Sequence, residues 1–512
     1  MKPIRLMSGF LTVGFWTLMS RILGFVREIL ILSLIGPGPM MDAFVAAFRL
    51  PNMFRRFFAE GAFNAAFVPM FSKKLEADTE AAKFARDALN GLAFVVLILT
   101  ALAMVFMPAL VWATAGGFAE DARFDLTVGF GKIVFPYIFF MSLSALFSGI
   151  LNATGRFAVA AAAPVLLNIF VIIAMIAGHY SGGEVINWLI WTIPLAGVAQ
   201  LGLTWFAAAQ AGFALRPGRP RWTPDMKKMV LVAIPAALAS GVMQINLVVG
   251  QLAASQFEGA VSWLFAADRL YQLPLGVVGI AVGIVLLPDL SRRLMAGDET
   301  GARHAFSRAA EISLALTIPS AVALMIIPLP LVTVLFARGA TGADDAAAIA
   351  VAVSIYGLGL PAFVVQKFLQ PLYFAREDTK TPFRFALVAM VVNAAIALGL
   401  TSTIGWIAPA IATTVAGWVM VALLAIGARR MGDVARFDAQ FHKRIWRILA
   451  ASTIMGGCLW MANVALTPAL GMAGIRYGAL LGLVAVGILS FFGAGQLLGA
   501  FKLSEIKGAV RR

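Results

Sequence analysis

The sequence predicts an all-α polytopic membrane protein of about fourteen transmembrane helices. Helices 1–6 and 7–12 form two related lobes, and two further helices close the chain. Three observations predict this. Of 512 residues, 61% are hydrophobic and 13% are charged, a balance foreign to soluble globules. Basic and non-basic connections alternate between the apolar stretches. A charged segment near the N-terminus recurs 220 residues later, Arg49 matching Arg269.

A membrane-spanning helix needs about 20 mostly apolar residues. Such stretches lie at roughly 7–35, 41–72, 86–115, 126–152, 158–180, 185–212, 228–256, 261–291, 305–337, 345–375, 381–403, 405–428, 445–466 and 472–500. The first is long, carries charge, and has no small-residue cleavage site after a short apolar core. A retained helix is therefore expected, not a signal peptide. Turn residues separate several spans: Gly36-Pro37-Gly38-Pro39, Arg216-Pro217-Gly218-Arg219-Pro220 and Thr467-Pro468.

Loop charge orients the chain. Alternate connections carry Lys73 and Lys74, then Arg156, the run from Arg216 to Lys228, Arg292 with Arg293 and Arg303, Arg376 with Lys380 and Arg384, and finally Arg429 to Arg444. The intervening ones are neutral or acidic, with Glu120, Asp121, Glu184, Glu258, Asp344 and Asp345. By the positive-inside rule the basic loops and both termini are expected in the cytoplasm. The alternation closes only for an even number of spans.

The repeat sets the lobes. AAFRL at 46–50 resembles AADRL at 266–270, and VPMFSKKL at 68–75 resembles LPDLSRRL at 287–294. Helix 2 then matches helix 8. An offset of six helices inserts both lobes with the same topology, about an axis along the membrane normal. The expected divisions are 1–215, 216–430 and 431–512.

The stretch from Ser20 to Asn64 is apolar yet carries Arg21, Arg27, Arg49, Arg55 and Arg56 against Glu28, Asp42 and Glu60. Facing lipid, these eight charges would cost roughly 20 kcal/mol. Asp42 to Glu60 would span roughly 27 Å as one helix, nearly the hydrocarbon thickness. Snorkelling to the interface therefore cannot serve the whole set, and a hydrated cationic cavity is expected. Asp42, Arg49 and Arg56 follow at intervals of seven, with Glu60 four further on, so they share one helical face. Arg21 and Arg27 lie roughly 120° apart, with Gly24 between them as a candidate bend. Asp268 and Arg269 supply a charge pair in the second lobe.

Other classes are excluded or disfavoured. The single cysteine, Cys458, precludes an intrachain disulfide and a cysteine metal cluster. The net charge of +15 fits cytoplasmic loops on anionic membrane lipids, not nucleic acid. An integral membrane enzyme would need a base or metal carboxylates near its phosphate. The adjacent acid pair Asp344-Asp345 sits in an outer loop, and the three histidines lie near loops. A cavity rich in arginine suits a diphosphate, which the forked guanidinium binds in two places at once.

The most specific stretches are SRILGFVRE at 20–28, DAFVAAFRLPNMFRRFFAEGAFNAAFVP at 42–69 and WLFAADRL at 263–270, with NATGRF at 152–157 and REDTKTP at 376–382. They resemble the MurJ/MviN family of lipid II flippases, within the multidrug/oligosaccharidyl-lipid/polysaccharide exporter superfamily. The resemblance covers essentially the whole chain. It implies two pseudo-symmetric six-helix lobes around a central cavity, with helices 13 and 14 forming a groove for the lipid tail. It implies transport, not catalysis, of a lipid-linked disaccharide-pentapeptide on undecaprenyl diphosphate across the bacterial inner membrane, by a functional monomer. The family's essential arginines fall on Arg21, Arg27, Arg55 and Arg269, and its carboxylates on Asp42 and Asp268. The helical stripe favours Arg56 where the resemblance favours Arg55, a difference of 100°. A flippase for another undecaprenyl-diphosphate-linked polysaccharide is the alternative. No cofactor is implied. Some members use sodium through a helix 7 carboxylate, but the helix 7 stretch here holds only Gln244 and Asn246. Those two, with Asn393 and Asp378, are what remains for an altered sodium site, and the membrane potential is the expected driving force.

Overall fold

The computed structural model describes residues 6–56, 63–77, 79–472 and 474–500. Among them the chain is helical throughout, with no strand. It divides into two compact units, Met1–Ser262 and Trp263–Arg512.

The first unit holds α1 (Leu6–Leu34), α2 (Pro39–Arg55), α3 (Asn64–Glu76), α4 (Ala81–Val105), α5 (Met107–Ala115), α6 (Ala122–Val134), α7 (Tyr137–Ala153), α8 (Phe157–Tyr180), α9 (Val185–Gln210) and α10 (Pro224–Ala254). Of the expected span 41–72, α2 and α3 cover Pro39–Arg55 and Asn64–Glu76, and residues 57–62 between them lie outside the described residues. The spans 86–115 and 126–152 each break in two, at Pro108 and Pro136. Proline has no N–H to donate and its ring crowds the preceding turn. The α1–α2 turn uses Gly36 at φ 74° and Gly38 at φ 141°, backbone that side chains disfavour. α1 packs on α8, α8 on α9, α7 on α9 and α2 on α6. A ladder of stacked rings, Phe63, Phe67 and Phe71 with Phe84 against Phe67, joins α3 to α4 at centroid spacings of 5.2, 5.4 and 5.7 Å.

The second unit holds most of α11 (Ala260–Met295), then α12 (Glu299–Ile326), α13 (Pro328–Phe336), α14 (Ala343–Phe374), α15 (Lys380–Gly399), α16 (Thr401–Ile404), α17 (Ala408–Ala428), α18 (Ala439–Leu470) and α19 (Ile475–Leu497). The α12–α13 break again precedes a proline, Pro328. α14 packs on α12 and α17, α15 on α17, and α18 on α12 and α19. The contact division at 262 lies beyond the repeat boundary at 215, because α10 packs on α3, α4 and α5.

Joined across their breaks, the described helices make fourteen segments. Ten are long and apolar enough to cross a membrane. Outside those ten, α1, α2 and α11 carry Arg21, Arg27, Asp42, Arg49, Arg55, Asp268 and Arg269. Large apolar side chains such as Val105, Trp112 and Leu481 are exposed, as expected where the surrounding solvent is lipid.

Candidate functional site

α1 and α8 place one part of the site. Arg27 is half-buried, with 15% of its side chain exposed. Its Nη2 donates to Glu28 Oε1 at 2.5 Å and its Nη1 to Asn168 Oδ1 at 3.0 Å. Asn168 Nδ2 donates to the Ser20 carbonyl at 3.0 Å, so one amide ties the arginine to the preceding turns of α1. Arg27 Nε is buried with no hydrogen-bond partner. α1 runs unbroken through Gly24, and a Cβ there would meet Asn168 at ordinary contact distance. Arg21 is exposed.

The α2 charges form a gradient. Asp42 is fully buried, Arg49 and Arg55 are half-buried and Arg56 is exposed. Arg49 Nη1 approaches the Leu247 carbonyl of α10 at 3.5 Å. Glu60 lies outside the described residues.

Asp42 is packed against protein groups. Its Oδ1 accepts from Ser262 N–H at 2.9 Å and Ser262 Oγ–H at 2.5 Å, and its Oδ2 from Gly259 N–H at 2.7 Å. Arg123 Nη1 lies 3.3 Å from Oδ2. The carboxylate thus caps the first turn of α11, where unsatisfied N–H groups and the helix dipole favour an anion. Asp42 and Ser262 are 220 residues apart, the same offset as the repeat. Arg123 also grips Asp121 at 2.6 Å, donates to the Phe257 carbonyl at 3.1 Å and lies 4.4 Å from the Phe118 ring centre. Its hydrogen bond to Asp121 holds that carboxyl below the usual range. Neither Arg123 nor Asn168 was singled out in the sequence. Arg123 reaches Asp42 across 81 positions and Asn168 reaches Arg27 across 141, separations that no local pattern marks. A polar residue inside the apolar run at 157–180 was the available signal for Asn168.

In the second unit, Asp268 accepts from Gln272 Nε2 one turn on. Arg269 lies over the Phe265 ring at 4.4 Å, a cation–π contact that leaves the guanidinium edge for other partners.

Within the second unit, the sodium candidates Asn393 and Asp378 do not come together. Asn393 is buried on α15, 3.5 Å from Thr413 Oγ1, and its Oδ1 has no partner. Asp378 accepts from Thr381 N–H at 2.9 Å before α15 begins, and hydrogen bonding from the Thr381 side chain and then its N–H holds the carboxyl below the usual range. The two are separated by roughly 20 Å of helix at 1.5 Å per residue, too far to share an ion. In the first unit, Gln244 is buried, and Asn246 is half-buried with its Oδ1 unpartnered. Among the described residues no His, Cys, Asp or Glu group has metal-binding geometry.

Many apolar spans in two compact units, with arginines held inside them, define a polytopic membrane protein. Solved structures share the fold. A multidrug resistance MATE family transporter of the MOP superfamily, inward-facing, matches with a TM-score of 0.66 at 14% identity, over 83% of this chain and 98% of that one. A structure described as lipid II flippase MurJ, inward closed conformation, matches at 0.79 and 25% identity, over 95% of this chain and 98% of that one. The family profile "Lipid II flippase MurJ" matches residues 31–492. Probable lipid II flippases MurJ from Rhizobium tropici and Rhizobium meliloti are 42% and 43% identical over 99% of this chain, and over 97% and 96% of their own lengths. The chain belongs to the MurJ family.

Proposed function

We propose that this protein flips lipid II, the undecaprenyl-diphosphate-linked disaccharide-pentapeptide, from the cytoplasmic to the outer leaflet of the bacterial inner membrane by alternating access. Arg21, Arg27, Arg55 and Arg269 serve the diphosphate, with Arg49, Arg56, Glu60, Asp42 and Asp268 setting the charge around them. Both termini face the cytoplasm, helices 13 and 14 guide the lipid tail, and the protein works as a monomer. The observation that carries the reading is Arg27. This chain of the lipid II flippase family holds a half-buried guanidinium within a membrane helix, steadied by Glu28 and Asn168, with its Nε unsatisfied. A buried donor without a partner costs about 1–3 kcal/mol, and an anionic headgroup would satisfy it.

The membrane potential, negative inside, favours outward movement of an anionic headgroup by about 2.3 kcal/mol per charge per 100 mV. The same field favours inward return of an empty site that is net positive, so both half-cycles run downhill without sodium.

The test is lipid II exposure at the outer leaflet of cells depleted of this protein. Wild-type protein restores exposure, and inserted Arg27→Ala does not. Normal exposure with Arg27→Ala would overturn the assignment.

A further inference from the structure

Arg338 and Arg476 meet at one end of the second unit, outside the set of charges assigned to transport. Arg338 follows α13, and Arg476 lies in the first turn of α19. Both converge on Tyr477. Arg338 Nη1 lies 3.4 Å and Arg476 Nη2 3.2 Å from the Tyr477 hydroxyl oxygen, with the guanidinium carbons 5.8 and 5.1 Å from its ring centre. The remaining contacts are to backbone carbonyls: Arg338 donates to Leu335, and Arg476 to Ala337 at 3.4 Å. Among the described residues neither arginine has a carboxylate partner. Asp345, on the same α13–α14 side, is taken up by Trp263 Nε1 at 2.8 Å and Gly342 N–H at 3.1 Å. Both arginine Nε atoms are buried with no hydrogen-bond partner.

Two like charges on one ring repel, and two buried donors without acceptors add cost. A bound anion removes both penalties. The tyrosine oxygen accepts from both guanidiniums, so its own O–H is left to donate. Arginine forks and a phenol suit phosphate oxygens. The surroundings say where that phosphate comes from. Met472, Ile475, Tyr477 and Leu481 are exposed, so the cationic pair sits at the rim of a lipid-facing surface, above a packed base of Val334, Leu470, Ala479 and Leu480. A soluble anion gains nothing from that apolar border, whereas acyl chains do.

We propose that Arg338, Arg476 and Tyr477 bind the phosphate of an anionic lipid headgroup, with its chains along α19. With the termini cytoplasmic, the site faces the outer leaflet, where the loop would break the bias against basic residues. A headgroup held there anchors the edge of the α18–α19 pair.

The experiment is native mass spectrometry of the full-length protein in mild detergent, titrated with phosphatidylglycerol or phosphatidylcholine, with inorganic phosphate as competitor. One phosphatidylglycerol is expected to bind in preference to phosphatidylcholine and to resist equimolar inorganic phosphate. Each interfacial arginine contributes about fivefold, so the R338Q/R476Q double variant should weaken that lipid roughly thirtyfold, and Tyr477→Phe by a few-fold. R338K/R476K keeps the charge and should stay within about fivefold of wild type, which separates lost binding from lost folding. Unchanged lipid binding by a folded R338Q/R476Q variant overturns the proposal. Displacement of the lipid by equimolar inorganic phosphate overturns its lipid specificity and makes this a free-anion site.

Discussion

Replacing Asp42 by asparagine keeps the shape of the side chain and removes its charge, which isolates what the carboxylate does at the head of α11. Asp42 is fully buried and accepts four hydrogen bonds: two from Ser262, one from Gly259 and a longer one from Arg123. An asparagine has one acceptor oxygen. Turned toward Ser262, it keeps both of those bonds but sets its NH2 against the Gly259 N–H and the Arg123 guanidinium. Two donors lose a charged acceptor, each worth about 1.5–3 kcal/mol. Arg123 keeps Asp121, which moderates the loss, and removing one partner of a buried charge pair costs about 3–5 kcal/mol in general. The expected destabilisation is therefore about 3–5 kcal/mol. Ser262→Ala removes a hydroxyl donor but leaves the backbone bond, and should cost about 1–2 kcal/mol. The assay is unfolding of the purified protein in mild detergent, with both single variants and the double. Because the residues touch, the double should fall short of additivity by about 0.5–3 kcal/mol. A wild-type unfolding midpoint for Asp42→Asn, or a Ser262→Ala effect as large as that of Asp42→Asn, would refute the cap.

Asn168→Leu should release Arg27 from α8 and impair complementation more than insertion, measured by growth and membrane abundance; Arg27→Lys should rescue only partly, since it loses the fork. Collapsing the potential at fixed sodium should stop lipid II exposure, and removing sodium at fixed potential should not; inhibition by sodium removal alone would turn attention back to Gln244, Asn246 and Asn393. Burial acts to raise the Asp438 carboxyl, but the Phe441 N–H at 2.7 Å and Arg308 at 2.8 Å outweigh it and hold it below the usual range. A depressed carboxylate stabilises the fold above its unfolded pKa of about 3.9 and loses that contribution as pH falls through the folded value. Wild-type protein should thus weaken below about pH 4, and Asp438→Asn should flatten that limb of the thermal unfolding profile. A cysteine at position 262 should resist impermeant thiol reagents in the conformation seen here, since Ser262 is fully buried, whereas one at half-buried Asn52 should label whenever the site is hydrated; equal labelling of both would contradict the packing at Asp42.

The sequence by itself was enough for the class, an all-helical polytopic membrane protein, because that rests on local and periodic properties. Apolar length sets a span, and alternating loop charge and the 220-residue offset between Arg49 and Arg269 set the expected topology and lobes. It was enough for the family as well, since motifs such as SRILGFVRE are contiguous. It also marked Arg21, Arg27 and Arg269 as charges that lipid would not tolerate. Tertiary structure decided what each charge touches. A helical wheel put Asp42 on one stripe with Arg49 and Arg56, but α6 and the start of α11 close over it, so its partners lie 81 to 220 residues away. Arg27 and Asn168 are 141 apart, and Arg338 and Tyr477 are 139 apart. No periodicity encodes such pairs. They arise where two helices with unrelated sequences cross, and a buried donor accepts whatever polar group the crossing brings within reach.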